Sequence, residues 1–165
     1  MKNAVIGIVY KGNDVLVLKR RDVSMWVFPG GGVDKNESPE EAVVREILEE
    51  TGLQVAINRK VAEYTPKNAM TALTHVYECR VLEGTPQATS ETRSAGFYSV
   101  QKLPQPFFSL HMEWLEDAML NQKELIRKPI NQITYWRVVL YFFRHPIHVI
   151  RFLLSKLGMP INSNR

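Results

Sequence analysis

The sequence predicts an α/β domain in which a mixed sheet carries helices packed against it. Three observations carry that expectation. Residues 3–10 and 14–19 are Val- and Ile-rich runs separated by a Gly-Asn-Asp turn, the signature of a β-hairpin. A stretch from Ser38 to Gly52 has the start and stop signals of a helix. Further strand-like runs at 53–64 and 73–82 follow that helix, so strands surround it in the chain and give it a sheet to pack on.

Taken in order, the hairpin leads into Trp26-Val-Phe and then Pro29-Gly-Gly-Gly32, which reads as a loop that must turn sharply. Ser38 is a suitable N-cap and Pro39 suits the first helical position. Glu41, three residues after Ser38, completes a capping box. Gly52 stands where a left-handed C-terminal residue is needed. After the two long strands a short one is expected at 96–100, GFYSV. Residues 109–127 read as a helix from the recurrence of Leu110, Trp114, Leu115, Ala118, Met119 and Leu125. Two short helices are expected at 133–143 and 147–157, broken at Arg144-His145-Pro146.

At 165 residues, with 45% hydrophobic and 23% charged content, the chain has the makeup of one globular domain with room for an appendage. The net charge of +4 hides an asymmetry. Residues 1–124 hold 14 Lys/Arg against all 17 acids, whereas 125–165 hold seven Lys/Arg and no acid. The basic pI therefore describes the end of the chain and marks a boundary, placed between 1–128 and 129–165. The single cysteine, Cys79, excludes an internal disulfide and fits a reducing compartment as a small buried strand residue. No segment reads as a signal peptide, so a cytoplasmic location is expected.

The most informative stretch is Arg45-Glu-Ile-Leu-Glu-Glu-Thr-Gly-Leu53, with three glutamates in five residues. On a helical wheel that starts at Val43 and advances about 100° per residue, Val43, Ile47, Thr51, Val44 and Leu48 occupy about 0–140°. Glu46, Glu49 and Glu50 occupy about 240–340°, with Ala42 among them and Arg45 beside them. This predicts an apolar face toward the sheet and a separate carboxylate face, with Arg45 paired to Glu49 at i,i+4. Glutamates placed for solubility are more usually interspersed with lysine. Converging carboxylates are instead the usual hard-oxygen site for Mg²⁺, and the adjoining glycines let backbone amides approach a phosphate.

The residues from Gly31 to Leu53 resemble the signature of the Nudix (MutT-type) hydrolases. The pattern runs Gly31, five residues, Glu37, seven residues, Arg45-Glu46-Ile47, one residue, Glu49-Glu50, one residue, Gly52-Leu53, and every fixed position is matched. Asn36 replaces a common glycine and Asp34 a frequent glutamate. Asparagine is the next-best occupant of a left-handed backbone, so the loop tolerates the change. The resemblance implies an α/β/α sandwich and a Mg²⁺- or Mn²⁺-dependent hydrolase of a diphosphate linkage in a nucleoside diphosphate derivative, with a nucleoside triphosphate or nucleotide sugar favoured. It further implies Glu46, Glu49 and Glu50 as metal ligands, Glu37 as an additional or supporting contact, and Arg45 as the residue orienting a glutamate. Gly30, Gly31 and Gly32 would form the substrate loop. Glu46 is the preferred general base and Glu91, before GFYSV, the alternative. A non-catalytic nucleotide- or RNA-binding module is the competing class, and the complete set of glutamates argues against it.

Outside the signature, Lys19, Arg20 and Arg21 could steer an anionic substrate, His75 is expected to be structural, and Pro104-Gln-Pro-Phe-Phe108 to be a rigid turn with a hydrophobic anchor. The two C-terminal helices are each about 17 Å long at 1.5 Å per residue, too short to span a bilayer. They are open to three uses: docking on the domain or forming a homodimer, lying on an anionic membrane surface (133–157), or gripping a polyanion such as RNA. The long apolar runs disfavour the last, and a membrane-recruited enzyme acting on a lipid-linked diphosphate is a further alternative.

Overall fold

The computed structural model describes residues 2–131. The helices expected within 133–157 lie outside the described residues. The elements are β1 (Asn3–Lys11), β2 (Asp14–Arg20), β3 (Trp26–Val27), β4 (Gly30–Gly32), α1 (Pro39–Thr51), β5 (Gln54–Thr65), β6 (Leu73–Glu83), β7 (Thr92–Ser99), α2 (Ser109–Met119) and β8 (Ile126–Pro129). All eight strands join one sheet in the order β3-β2-β1-β6-β5-β8, with β4 also paired to β1 and β7 to β2. Most neighbours are antiparallel, but β1 runs parallel to β6, and β8 parallel to β5. The sheet is therefore mixed, as expected.

Strand β1 is buried on both sides because each face of the sheet carries a helix. Val5 and Val9 join the layer under α1 with Val43, Ile47, Leu53 and Tyr77. Ile6 and Ile8 join the opposite layer with Val76, Phe28, Trp114 and Leu115 of the α2 side. Alternate side chains of a strand point to opposite faces, so an apolar strand without polar alternation is what a three-layer α/β/α sandwich requires. Cys79 is buried in the α1 layer, where loss of solvent pushes its thiol up to about 12.

The start and stop of α1 follow the local signals. Ser38 Oγ accepts the Glu41 N–H at 3.2 Å, and the Glu41 carboxylate accepts the Ser38 N–H at 2.8 Å. Gly52 caps the end at φ 74°, and Asn36 adopts φ 70° in the loop before it.

Four expectations need correction. The glycine run after Pro29 is a strand, β4, paired antiparallel to β1 with Val5 opposite Gly31; only the turn at Pro29 is loop. Strand β7 starts at Thr92, not at 96, because it lies along the whole of β2 from Arg20 to Asp14. Helix α2 stops at Met119 because Asn121 turns left-handed at φ 47°. Residues 126–129, expected to continue that helix, instead add β8 to the sheet edge. Ile130 is buried beyond it. Finally, the buried arc of α1 is rotated from the wheel. Ala42 and Glu50 are buried with Val43, Ile47 and Thr51, while Leu48 is 46% exposed. The helix lies partly on β4, which has no side chains, and that leaves room for carboxylates on its inner face.

Candidate active site

Arg45 is the centre of the α1 cluster. Its Nε and Nη2 donate to the two oxygens of Glu37 at 2.8 and 3.0 Å. Nη1 donates to Glu46 Oε1 at 3.0 Å and Glu49 Oε2 at 3.1 Å, and Nη2 reaches the Gly32 carbonyl at 3.1 Å. The expected Glu49 pair is present, but the bidentate partner is Glu37, eight residues away and not deducible from helix spacing. Such planar, two-point pairing is what a guanidinium does and an ammonium cannot. It holds the Glu37 carboxyl down at about 2, with help from the Asp34 amide.

Glu46 and Glu50 have a different environment. The Glu46 carboxylate lies against Gly31, where a Cβ would collide with it. Glycine is needed at that position because the backbone and the carboxylate approach closely. The Glu50 side chain is buried, 7% exposed, and its Oε2 accepts the Gly30 N–H at 2.8 Å. Burial pushes its carboxyl up to about 7. The Gly30 amide and Arg20 oppose this, while the charges of Glu46 and Glu91 add to it. Burial likewise raises the Glu46 carboxyl, opposed by Arg45 and reinforced by Glu49 and Glu91. Both groups are thus held where their negative charge is under-compensated, the condition under which a carboxylate gains from a divalent cation.

Glu91 stands on the segment before β7. Its charge acts on Glu46, Glu50 and Arg20, so the structure brings it to the cluster although it lies far away in sequence. Arg21 fixes that segment: its guanidinium donates to the carbonyls of Thr89 and Thr92, and its own N–H donates to the Glu91 carbonyl at 3.3 Å. Thr92 Oγ1 donates to the Glu50 carbonyl at 3.0 Å and ties the segment to α1. The carboxylates do not converge on one point: among the described residues no three acidic, His or Cys side chains form a ready ligand set. Glu49, half exposed, is turned toward Arg45. The donor chemistry, all carboxylate oxygens beside backbone amides, nevertheless fits a hard divalent cation.

The cluster opens into a cavity of about 260 Å³. Gly30 and Glu50 line it, and so do four further residues, Met25, Phe28, Phe108 and His111. Sequence reasoning missed these four because they come from two segments about 80 positions apart. The only hint was the hydrophobic anchor of the 104–108 turn, which pairs with β3 through a Trp26–Phe107 bridge. Arg20 also lines the cavity, held by Asp22 through Nε at 2.8 Å and Nη2 at 2.6 Å. Of the three cations considered for steering, Arg20 therefore faces the cavity and Arg21 is structural, while Lys19 lies over the Trp26 ring. His75 is buried on β6, its Nδ1 3.6 Å from Glu63 Oε1, and away from the cavity lining.

The chain is similar to known proteins. The NUDIX domain family profile matches residues 1–118. The ADP-ribose pyrophosphatase of Methanocaldococcus jannaschii is 32% identical over 124 residues, 70% of this chain and 72% of that protein. A Bacillus subtilis protein provisionally named an 8-oxo-dGTP diphosphatase is 46% identical over 63 residues, but the match spans only 38% of this chain and 42% of that protein. The crystal structure of a NUDIX hydrolase from Nitrosomonas europaea superposes with a TM-score of 0.70 at 22% identity, covering 79% of each chain, and so shares the fold. With its complete signature, its sandwich and its profile match, the chain belongs to the Nudix hydrolase family.

Proposed function

We propose that this protein hydrolyses the diphosphate linkage of a nucleoside diphosphate derivative, a nucleoside triphosphate or nucleotide sugar, in a Mg²⁺- or Mn²⁺-dependent reaction in the cytoplasm. The observation that carries this is the buried Glu50 carboxylate, set beside Glu46 and the glycine strand in the lining of a largely apolar cavity. Glu46, Glu49 and Glu50 would hold the ion, with Glu49 leaving Arg45 to do so, and Glu37 would act by keeping Arg45 in place. When bound, a divalent cation supplies charge neutralisation for the diphosphate and acidifies water.

The chain's own residues supply the rest. Glu46 takes a proton from the attacking water, whose oxygen bonds to phosphorus as the bridging P–O bond breaks. Glu91 is the alternative base, supported by its electrostatic reach to the same cluster. Arg20, fixed by Asp22 beside Glu50, faces the departing phosphate charge. Gly31 lets the Glu46 carboxylate lie close to β4, beside the place where the diphosphate would sit. The amide of Gly32 would face the phosphates, since the Gly30 amide is already taken by Glu50 and Gly31 pairs with Val5 in the sheet.

We further propose that the basic segment after the sheet, drawn as 129–165, is an accessory element that docks on the domain, forms a homodimer or meets an anionic membrane. Its support is charge and composition alone. Sedimentation with anionic lipid vesicles should show binding of the full chain that is lost on removing residues 132–165. Equal partitioning of both would remove the membrane role.

Glu49→Gln with Glu50→Gln should abolish formation of the phosphate-bearing hydrolysis products, followed by chromatography, on a panel of nucleoside triphosphates and nucleotide sugars assayed with Mg²⁺ or Mn²⁺. Hydrolysis retained in the double variant would overturn the metal assignment, and nucleotide binding with no turnover in the wild type would favour a binding module. Gly31→Ala should lower kcat by roughly 10–100-fold, the scale seen when groups that orient metal ligands are disturbed, while thermal unfolding changes little because the colliding Glu46 carboxylate can swing away. A large fall in melting temperature would show that Gly31 serves the fold and not the site.

Metal-free stability should carry the mark of Glu50. Its folded pKa of about 7 lies above its unfolded value, so the folded state holds the extra proton and stability is lost as pH rises between about 4.5 and 7. Glu50→Gln removes that loss. The variant should gain on the order of 2–3 kcal/mol relative to wild type from pH 4.5 to pH 8 in urea unfolding. His75 and His111 titrate in both proteins and cancel in the difference. A pH-independent difference would show that Glu50 is not held at high pKa.

A further inference from the structure

The cavity wall contains one polar group that the hydrolysis itself does not use. His111, on the first turn of α2, is 6% exposed and reaches the surface in the cavity. Its Nδ1 accepts the Phe28 N–H at 2.9 Å, a bond between α2 and the segment entering β4. An imidazole that accepts at Nδ1 and is neutral carries its hydrogen on Nε2. Burial holds the ring neutral, with a pKa of about 3. The tautomer is therefore set by the fold. The Nε2–H has no partner among the described residues, and it is not among the sealed, unpartnered buried nitrogens, which are His75 Nδ1 and Trp114 Nε1. It is a fixed donor with its surface in the cavity.

The surroundings define what such a donor meets. Phe28 lies parallel to the His111 ring at 5.8 Å and Phe108 stands edge-on at 5.2 Å, so the ring cannot turn away without breaking a packed aromatic group. The remaining lining is apolar apart from Arg20, Asp22 and Glu50. Asp22 is not a free acceptor: its oxygens take Arg20 Nε, Arg20 Nη2 and the Val23 N–H. Glu50 accepts the Gly30 N–H and is assigned to the ion. The cavity thus offers flat aromatic walls and the donors of His111 and Arg20, which fits an aromatic heterocycle whose edge presents acceptors.

We propose that His111 is the specificity-determining residue of this cavity, its Nε2–H donating to a carbonyl oxygen on the edge of the substrate's nucleobase and so selecting keto-edged bases over amino-edged ones. This rests on the nucleotide hydrolase reading above. An amino group at the same place would set two donors face to face in a dry pocket and leave both unpaired, which is the arrangement that discriminates most strongly.

Two variants separate the ring's two nitrogens. His111→Asn keeps an acceptor where Nδ1 meets Phe28 and loses the donor at Nε2, whereas His111→Gln keeps an amide N–H near Nε2. The wild type, assayed with Mg²⁺, should favour GTP over ATP in kcat/KM by about tenfold, the scale of one hydrogen bond. The preference should vanish in His111→Asn and persist in His111→Gln, where kcat falls alike for both nucleotides because the Phe28 N–H loses its acceptor. A wild type without preference, or a preference unchanged in His111→Asn, overturns the proposal. In parallel, the His111 imidazole resonances of the metal-free wild type should be followed by ¹⁵N NMR on adding guanosine or adenosine. A shift of the Nε2–H with guanosine alone supports the assignment, while no shift, or equal shifts, overturns it. Because this measurement needs neither metal nor turnover, it still decides the role of His111 if no nucleotide is hydrolysed, an outcome that would count against the hydrolase reading instead.

Discussion

The site depends on a single guanidinium. Arg45 joins the loop before α1 through Glu37, the glycine strand through the Gly32 carbonyl, and its own helix through Glu46 and Glu49. These are the three pieces that must keep a fixed spacing if carboxylates on a helix are to face backbone on a strand. A planar donor fork can make all these bonds at once, each oriented, and a lysine at the same place could supply only a point charge. Since the group is less than a third exposed, its bonds are less screened than those of a surface pair.

Arg45 does not neutralise the cluster. It satisfies the outer carboxylates and leaves Glu50, on the inner side of the helix, with one amide and the charge of Arg20. Burying an acid beside other acids is unfavourable, and the structure holds the cost at the end of α1 nearest the cavity, where a polyanionic substrate and its cation would arrive together. The clustering of like charge, which looks wasteful on an isolated helix, becomes a store of affinity for positive charge. Strained electrostatics of this kind are found where function, not stability, sets the residue choice.

Local grammar made much of this legible. The Ser38–Glu41 box, the left-handed Asn36 and Gly52, and the apolar hairpin are short-range effects that a sequence displays directly. What the sequence hid was hidden for physical reasons. A strand made of three glycines has no side chains to report β-propensity, so β4 reads as a loop. Helical spacing continued past Met119 into residues that pair with β5, because a left-handed Asn121 leaves no trace in hydrophobic period. The wheel placed Glu50 outside since it weighed side chains alone, and a helix resting on bare glycine backbone can turn its acids inward. The cavity was the least visible feature: Phe28 and His111, from segments far apart in the chain, meet through one hydrogen bond and one ring contact.

That same bond shows how the two halves of the site are coupled. Phe28 leads directly into Pro29 and the glycine strand, so the amide that fixes the His111 ring lies two residues before the amide that holds Glu50. Binding of a base against His111 and binding of charge at Glu50 therefore act on one short run of backbone. On the proposed function, the signature would carry the reaction on α1 and the cavity wall of α2 and the segment around β3 would carry recognition, with the strand between them joining the two. Substitutions in the cavity wall can then change which nucleotide is accepted without touching a carboxylate, as long as the residue that replaces His111 still accepts the Phe28 amide. Loss of that acceptor would loosen β4 itself, and with it the place where Glu46 and Glu50 rest.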